Sequence, residues 1–462
     1  MKTNKTIKRT TRQIIAEEVV DNTPVYTHEG AVASNIGYFS ELKRSVCACM
    51  LFEKSFYEDG ISISERVSDL IGKVSPEKVA ELAIKCRTEM KLRHMPLFMA
   101  TQMWKYATHK KHVSNVLANV IQRADEPAEV LSMWFKMQNI AANAKKTIPN
   151  QFKKGINKAF EKFSEYQLSK YKGNGKEVSL KDVILLTHPK RTEIFKKVIE
   201  GTIEPPMTWE VEYSKAGNDI EKKKAIWLKL ISEKKLGALA FLRNLRNMIG
   251  VGVSENVMRD GLKQINTERV LPFRFIQASK YAPFLNAELE ECMFKCLEKH
   301  DRMGGKTVFL VDVSGSMDAK ISDKSDLLRL ECAGAVAMLL REIVGDTFRV
   351  FTFSERTVEV PNRRGFALND AISNSQEHSS TYLGSALKHI NATVKDYDRI
   401  IVITDEQSHD SITTSPVGKA NGYIINVAAY KNGVGYDNYV HISGWSEAVI
   451  DYIMEYEKNF CK

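Results

Sequence analysis

Apolar residues repeat with different spacing in the two parts of the chain. From about Gly37 to His300 they recur every three or four positions, as in EPAEVLSMWFKMQNIAAN. This spacing places apolar side chains on one face of a helix, and the breaks between segments fall at glycine and proline clusters. A succession of helices joined by short turns predicts a helical-repeat array.

After Gly304 the apolar residues form short, nearly continuous runs rich in β-branched side chains. Strands buried on both faces of a parallel sheet have this composition. The runs are TVFLVDV at 307–313, TFRVFTF at 347–353, RIIVIT at 399–404 and YIINVAA at 423–429. Helical patterns at 326–344, 383–394 and 446–457 alternate with these runs. The alternation predicts an α/β doubly wound sheet, which binds ligands at the carboxyl ends of its strands.

The length of 462 residues favours two or three domains. We predict a basic mobile arm at 1–30, an α-helical domain at 31–300 and an α/β domain at 301–462. The sequence has no run of about 18 apolar residues and no apolar segment behind its basic N-terminus, which argues against a membrane span and a secretory signal. The seven cysteines include no C-x-x-C pair. Reduced thiols and a cytoplasmic location are therefore expected.

Positive charge is concentrated in the first 300 residues. The whole chain has 67 Lys and Arg against 57 Asp and Glu, a net charge of +10. Residues 301–462 hold 17 basic and 22 acidic side chains, which leaves a net charge of +15 for residues 1–300. We therefore expect the helical domain to bind a polyanion.

The first predicted strand ends in a short run of oxygen-bearing side chains. Asp312, Ser314 and Ser316 alternate along one edge of a tight turn, and Gly315 eases the bend. One carboxylate and two hydroxyls are hard ligands that suit Mg²⁺, with Mn²⁺ as the alternative. A lone D-x-S-x-S segment is also common as a solvated turn, so its position at a strand end is what favours a metal site.

The segment FLVDVSGSM at 309–317 resembles the metal-ion-dependent adhesion site (MIDAS) of von Willebrand A domains. The resemblance implies two further ligands on later loops, and Thr381 and Asp405 stand where that family has them. It also implies that one coordination position is left for a carboxylate of a partner. Ser380 and Glu406 depart from the family, in which glycine is common at both positions, but neither change removes a ligand.

Two regions of the helical part are candidates for nucleic-acid contacts. Residues 141–200 carry 14 basic against 6 acidic side chains. The helix predicted around 239–248 offers arginine for phosphates and asparagine for bases or sugars. An ordinary solvated helix surface is the alternative for each region. The candidate RNA-binding residues are Lys145, Lys146, Lys153, Lys154, Lys158, Lys172, His188, Lys190, Arg243, Asn244 and Arg246.

Four segments of the helical part resemble, in their order, the TROVE module of the Ro ribonucleoprotein autoantigen family. They are EGAVA…YF from residue 29, SLKDVILLTHPK at 179–190, LAFLRNLRNM at 239–248 and LPFRF at 271–275. In that family the module directly precedes a von Willebrand A domain. The resemblance implies an α-helical HEAT-like repeat ring closed by the metal domain. It also implies binding of small structured Y RNAs on the outer surface and of single-stranded ends of misfolded RNAs in the central hole.

Three functions remain open. The first is an RNA-binding ribonucleoprotein scaffold in RNA quality control and processing, with an exoribonuclease as one candidate partner at the metal site. The second is a metal-dependent protein-interaction module that works with a separate ATPase. The chain has no P-loop of its own, because Gly304–Thr307 leads into a strand and lacks the first glycine of that motif. The third, an intrinsic nuclease, is poorly supported by scattered histidines, so we expect no enzyme and no membrane partner.

Overall fold

The structure is a computed structural model, and its chain divides into two compact units. Unit 1 contains residues 1–44, 53–59 and 212–462, and unit 2 contains residues 45–52 and 60–211. The helices from residue 212 onwards therefore belong to the same compact unit as the α/β part. The domain boundary that the sequence predicts at residue 300 stays a prediction. The structure describes residues 24–34, 36–47, 60–139, 147–171, 177–204, 208–267, 270, 273–298, 300–321, 326–345, 347–428, 430, 432–436, 438–444 and 448–460.

Unit 2 is built from helices, as the apolar spacing predicts. A helix that we label α1 (Tyr38–Cys47) precedes them and ends in this unit. Short 3₁₀ turns occur at Met103–Lys105 and Lys110–His112. The further helices of unit 2 are α2 (Gly60–Lys73), α3 (Pro76–Thr88), α4 (His94–Gln102), α5 (Val113–Val120), α6 (Glu126–Met137), α7 (Asn150–Phe160), α8 (Glu165–Lys170), α9 (Leu180–Thr187) and α10 (Glu193–Glu200).

The starts of these helices follow from local chemistry. Pro76 occupies the first turn of α3, where its missing N–H leaves no bond unmade, and Ser75 before it is extended. Ser179 caps α9, since its hydroxyl accepts the Asp182 N–H and the Asp182 carboxylate accepts the Ser179 N–H.

Unit 1 contributes helices before its sheet. A 3₁₀ turn lies at Pro283–Leu285. The helices of unit 1 that follow α10 and precede the sheet are α11 (Trp209–Lys215, which begins in unit 2), α12 (Ile220–Ser232), α13 (Ala238–Gly250), α14 (Glu255–Lys263), α15 (Phe273–Tyr281) and α16 (Asn286–Lys295).

No helix among the described residues is long and apolar enough to cross a membrane.

A six-stranded sheet forms the centre of the α/β part. Every neighbouring pair is parallel except one antiparallel pair at the β5 edge. The order is β5-β4-β3-β6-β7-β8. The strands are β3 (Thr307–Asp312), β4 (Phe348–Phe353), β5 (Thr357–Val360), β6 (Arg399–Thr404), β7 (Asn421–Asn426) and β8 (Val440–Ser443). The four predicted strands are adjacent and parallel, which confirms the doubly wound α/β fold.

Helices cover this sheet. Leu383, Leu387 and Ile390 of one helix share a core with Leu310 and other even-numbered residues of β3 and β6. Phe309 points to the opposite face by strand alternation and is also fully buried. The helices are α17 (Arg329–Ile343), α18 (Phe366–Ser373), α19 (Leu383–Thr393) and α20 (Ala448–Phe460).

A small hairpin near the N-terminus overlaps the end of the predicted mobile arm. Its strands β1 (Val25–Tyr26) and β2 (Val32–Ala33) pair antiparallel. Each strand has two residues, and distant loops of unit 1 hold the hairpin through hydrogen bonds. Local periodicity therefore carries no signal for it. The rest of the predicted arm, residues 1–23, lies outside the described residues.

Candidate metal centre and basic surfaces

Three loops meet at the carboxyl edge of the sheet: the turn after β3, the loop before α19 and the loop after β6. The Gly315 N–H donates to the Ser379 carbonyl at 2.9 Å, which joins the first loop to the second. The His409 N–H donates to the Thr381 carbonyl at 2.8 Å, which joins the second loop to the third. The loops that carry all five predicted metal ligands are thus in contact.

Asp312 is held in place from two sides. Its side chain is fully buried and accepts the Ser314 N–H at 2.9 Å. It also accepts the Thr404 hydroxyl at 2.5 Å. The parallel register pairs Val311 with Ile403, so the next residues of β3 and β6 lie side by side. The register therefore positions the carboxylate at the strand edge.

The hydroxyl ligands predicted from the sequence line the same turn. The Oγ atoms of Ser314 and Ser316 are 3.3 Å apart, as their alternate spacing predicts. Ser314 and Thr381 are buried, Ser316 is half-buried and Gly315 is exposed. The edge of the site nearest to solvent is therefore the glycine turn.

Asp405 is paired with an arginine that the sequence analysis missed. The Asp405 carboxylate is fully buried and accepts the Nη1 of Arg329 at 3.1 Å. The same nitrogen lies 3.4 Å from the Ser316 carbonyl. Burial, and then the charge of Asp405, raise the pKa of Asp312 to about 7. Arg329 lies at the start of an apolar helix, so only the fold reveals its position.

The donor set fits a hard divalent cation. Three buried carboxylates (Asp312, Asp405 and Glu406) face two buried guanidiniums (Arg44 and Arg329) among the described residues. With all three carboxylates ionised, these five side chains carry a net charge of −1. No three His, Cys, Asp or Glu side chains cluster as a metal site in the described part of the chain. A cation here would therefore depend on serine and threonine oxygens as well as carboxylates, which Mg²⁺ accepts.

Glu406, one of the two departures from the family pattern, keeps the backbone that glycine would favour. Its φ is +60°, a left-handed conformation that is uncommon for residues other than glycine, asparagine and aspartate. Its carboxylate pairs with Arg44 and with His441. Burial opposes its charge, but those two partners outweigh burial and lower the pKa of Glu406.

The lysines of α7 lie on the outer side of an amphipathic helix. Phe152, Ile156 and Ala159 are buried, whereas Lys154 and Lys158 are exposed. Lys153 is half-buried, and Lys158 forms a surface ion pair with Glu161. The predicted RNA-binding residues Lys145, Lys146 and Lys172 lie outside the described residues.

A hydrogen bond brings His188 and Lys190 to the same region. The Asn157 amide, between the two exposed lysines of α7, donates to the Thr187 carbonyl at 3.0 Å. His188 follows directly, in a left-handed conformation that ends α9 with φ +52°. His188, Lys190 and Arg191 are exposed. We name Lys154, Lys158, His188, Lys190 and Arg191 the basic cluster; Arg191 was missed in the sequence analysis.

The α13 helix carries three of the predicted RNA-binding residues. Arg243 and Arg246 are exposed, and Arg246 lies 5.4 Å above the Tyr281 ring. Asn244 is buried, donates to the Ala240 carbonyl and accepts from Asn247. Its amide is thus used within the helix. The RNA contacts predicted for Arg243, Asn244 and Arg246 stay predictions.

Arg274 of α15 is a further basic residue beside α13, which the sequence analysis did not select. The side chain of Arg274 is exposed, yet desolvation by its neighbours and then the charge of Arg243 lower its pKa. The helices that carry the two arginines, α13 and α15, pack against each other. The LPFRF segment holds Arg274, but its resemblance alone gave no sign of this pairing.

Comparisons with known proteins agree with this architecture. A TROVE domain model matches residues 199–300, and a von Willebrand factor type A domain model matches residues 307–407. This chain carries a TROVE domain followed by a von Willebrand factor type A domain. The second match spans all five predicted metal ligands. The TROVE match spans Arg243 and Arg246 but not the lysines of α7.

The chain is also similar to individual proteins, with different sequence identities and over different shares of their lengths. The crystal structure of Deinococcus radiodurans RO (RSR) protein matches 91% of this chain and 100% of its own, with a TM-score of 0.59 and 14% identity, which shows a shared fold. Telomerase protein component 1 of Mus musculus is 37% identical over 90 residues, and that of Rattus norvegicus is 34% identical over 93. These matches cover 18% and 19% of the chain, which spans only 3% of either relative's length.

Proposed function

We propose that the chain is an RNA-binding component of a ribonucleoprotein and that it has no catalytic activity of its own. The observation that carries this proposal is the basic cluster, in which a buried apolar face fixes α7 and the Asn157–Thr187 bond brings the α9–α10 turn beside it. Exposed lysine and arginine side chains on adjoining elements can follow a phosphate backbone. The TROVE domain and the Ro-like fold support the same conclusion.

The RNA class follows from the kind of surface. Lysines exposed on helices contact phosphates and carry little base specificity, so a folded RNA would be recognised by its shape. We propose small structured RNA of the Y type as the ligand, and single-stranded ends of misfolded RNA as a second ligand. The function would then be in RNA quality control or processing.

The von Willebrand A domain has a separate role in this proposal. Asp312, Ser314, Ser316, Thr381 and Asp405 would hold Mg²⁺, or Mn²⁺ in its place. The cation would supply an electrophilic position for a carboxylate of a protein partner, with an exoribonuclease as one candidate. The buried carboxylates and the converging loops support this role. The chain would work in the cytoplasm.

Charge reversal in the basic cluster tests RNA binding. The Lys154→Glu/Lys158→Glu variant should bind structured RNA more weakly, and its plot of log affinity against log salt should be shallower by about 2, since each lost phosphate contact contributes about 0.9. Filter binding over a range of salt concentrations measures both quantities.

The matched control is Lys78→Glu/Lys85→Glu on α3 of the same unit. Both lysines are exposed, and Lys85 forms a surface ion pair with Glu81, as Lys158 does with Glu161. The control should retain the wild-type slope. Equal slopes for the two variants would show that the RNA binds elsewhere, and wild-type protein without salt-dependent affinity would refute RNA binding itself.

A further inference from the structure

The N-terminal hairpin is attached to the loop that follows the candidate ligand Asp405. The Thr27 hydroxyl donates to the Ser408 carbonyl at 2.9 Å. The His28 N–H donates to the side-chain oxygen of Gln407 at 2.7 Å. Thr27, Gln407 and Ser408 are buried, so water does not compete easily for these bonds. The hairpin therefore restrains the loop immediately beyond the candidate metal site.

The segment from the hairpin to α1 also contacts the loop between β7 and β8. The Ser34 N–H donates to the Gly433 carbonyl at 2.9 Å. Arg44, one turn before the end of α1, donates to the Asn432 carbonyl at 2.9 Å and to the Tyr430 carbonyl. These residues belong to the same compact unit as the sheet. We call residues 25–34 and 36–44 the N-terminal strap.

Arg44 ends in a buried charge cluster beside the metal loop. Its side chain is fully buried, and its Nη1 contacts the Glu406 carboxylate and lies 3.2 Å from the Tyr436 hydroxyl. The other carboxylate oxygen of Glu406 is 3.0 Å from His441 Nδ1. Tyr436 and His441 stack, with ring centroids 3.5 Å apart. Arg44 is thus the fully charged partner that permits Glu406 to be buried.

The position of Glu406 connects this cluster to the cation site. Glu406 directly follows Asp405, and its left-handed backbone fixes the direction in which the chain leaves the site. The Gln407 N–H then donates back to the Asp405 carboxylate at 3.2 Å. Without Arg44, the buried Glu406 carboxylate would keep, among the described residues, only His441 as a partner for its charge, in the residue next to Asp405. The loop would have to move to hydrate it, and the Asp405 ligand would move with the loop.

We propose that Arg44 is a positioning residue for the cation site and that docking of the N-terminal strap and cation binding stabilise each other. This inference rests on the proposed cation site. Arg44 does not touch the cation but holds Glu406, and hence Asp405, in the arrangement that binds it. Because such coupling is reciprocal, a bound cation also strengthens the attachment of the strap.

Calorimetric titration of the full chain with MgCl₂ tests the first half of the proposal. The Arg44→Met variant should bind Mg²⁺ about 5- to 150-fold more weakly than wild type, the usual range for coupled sites. Adding Glu406→Gln to it should restore much of the affinity, because the second change removes the buried negative charge that Arg44 no longer balances. The control Lys43→Met removes a positive charge from the neighbouring residue of the same helix and should bind Mg²⁺ as wild type does.

Hydrogen–deuterium exchange of wild-type protein tests the second half and does not depend on the folding of any variant. Mg²⁺ should slow exchange at the His28 and Ser34 amides, which donate to loop residues, and should leave the amides of α5 unchanged. Undiminished Mg²⁺ affinity in Arg44→Met, or strap exchange that Mg²⁺ does not alter, would overturn the inference alone. Wild-type protein that binds no Mg²⁺ would refute the cation site and the inference together.

Discussion

Asp312 is fully buried, and its carboxylate is repelled by the charge of a second buried carboxylate, Asp405. Burial and that charge raise its pKa to about 7. The ionised form is therefore costly unless positive charge accompanies it. Arg329 supplies part of this charge through its contact with Asp405. A divalent cation would supply more.

The Asp312→Asn variant keeps the shape of this side chain and removes its charge. Without added metal we expect a melting temperature equal to or above that of wild type, because a buried repulsion is lost. With Mg²⁺ we expect wild type to be stabilised as the concentration rises and the variant to gain nothing. Thermal unfolding at several Mg²⁺ concentrations measures both effects.

Asp370→Asn is a suitable control, since Asp370 is an exposed aspartate of α18 in the same domain. It should respond to Mg²⁺ as wild type does. A melting temperature of Asp312→Asn that still rises with Mg²⁺ would contradict the assignment of this ligand. A metal-free Asp312→Asn protein that has lost its helical signal would show instead that the carboxylate is needed for folding.

The sequence identifies candidate ligands better than the residues around them. Asp312, Ser314 and Ser316 lie within one short motif, which predicts that they meet, and the resemblance to von Willebrand A domains implies that Thr381 and Asp405 join them. Arg329 and Arg44 cannot be found in this way, because each reaches the site from a helix whose local pattern is ordinary. Their role depends on tertiary packing, which no short motif encodes.

At the scale of elements, α7 depends on a close approach to α5. A Cβ atom at Gly155 would lie 2.7 Å from the Ser114 carbonyl oxygen and 2.7 Å from the Leu117 Cβ. Only glycine permits this distance between the two backbones. The same helix carries Lys154 and Lys158 on its outer side, so the packing that buries Phe152 also presents the basic cluster.

Replacing Gly155 with alanine should therefore destabilise unit 2. Alanine favours a helix by about 1 kcal/mol over glycine. Overpacking of a rigid contact costs roughly 1–3 kcal/mol, so we expect a net loss of about 1 kcal/mol. Urea unfolding followed by far-ultraviolet circular dichroism measures the change.

Gly250→Ala provides the comparison, because a Cβ there would meet no atom within 4 Å and the residue ends a helix of similar kind. This variant should be as stable as wild type or slightly more stable. If Gly155→Ala is also neutral or stabilising, the close approach of α5 and α7 is not as tight as the structure has it.

The elements themselves were predictable to different degrees. The strands β3, β4, β6 and β7 are buried on both faces, and their continuous apolar runs predict them. By contrast, β5 and β8 have four residues each and lie at the edges of the sheet, so their sequences carry little apolar signal. The N-terminal hairpin is shorter still, and its stability comes from loops almost 400 residues away.

At the scale of the whole molecule, the charge distribution agrees with different functions for the two domains. Residues 1–300 carry a net charge of +15, which predicts binding to a polyanion. The composition does not reveal where the ligand binds. Asn157 and Thr187, which are 30 residues apart, join α7 to the α9–α10 turn. This bond brings the residues of the basic cluster together, which the net charge alone does not predict.

We expect the chain to bind a defined RNA through the basic cluster. The most direct test is the RNA content of the wild-type protein after purification at low salt, with sequencing of the fragments that the protein protects from nuclease. We expect to recover a discrete small structured RNA, in a reduced amount from Lys154→Glu/Lys158→Glu and in the wild-type amount from Lys78→Glu/Lys85→Glu. Wild-type protein that carries no RNA would refute RNA binding and would favour the von Willebrand A domain as the site of function.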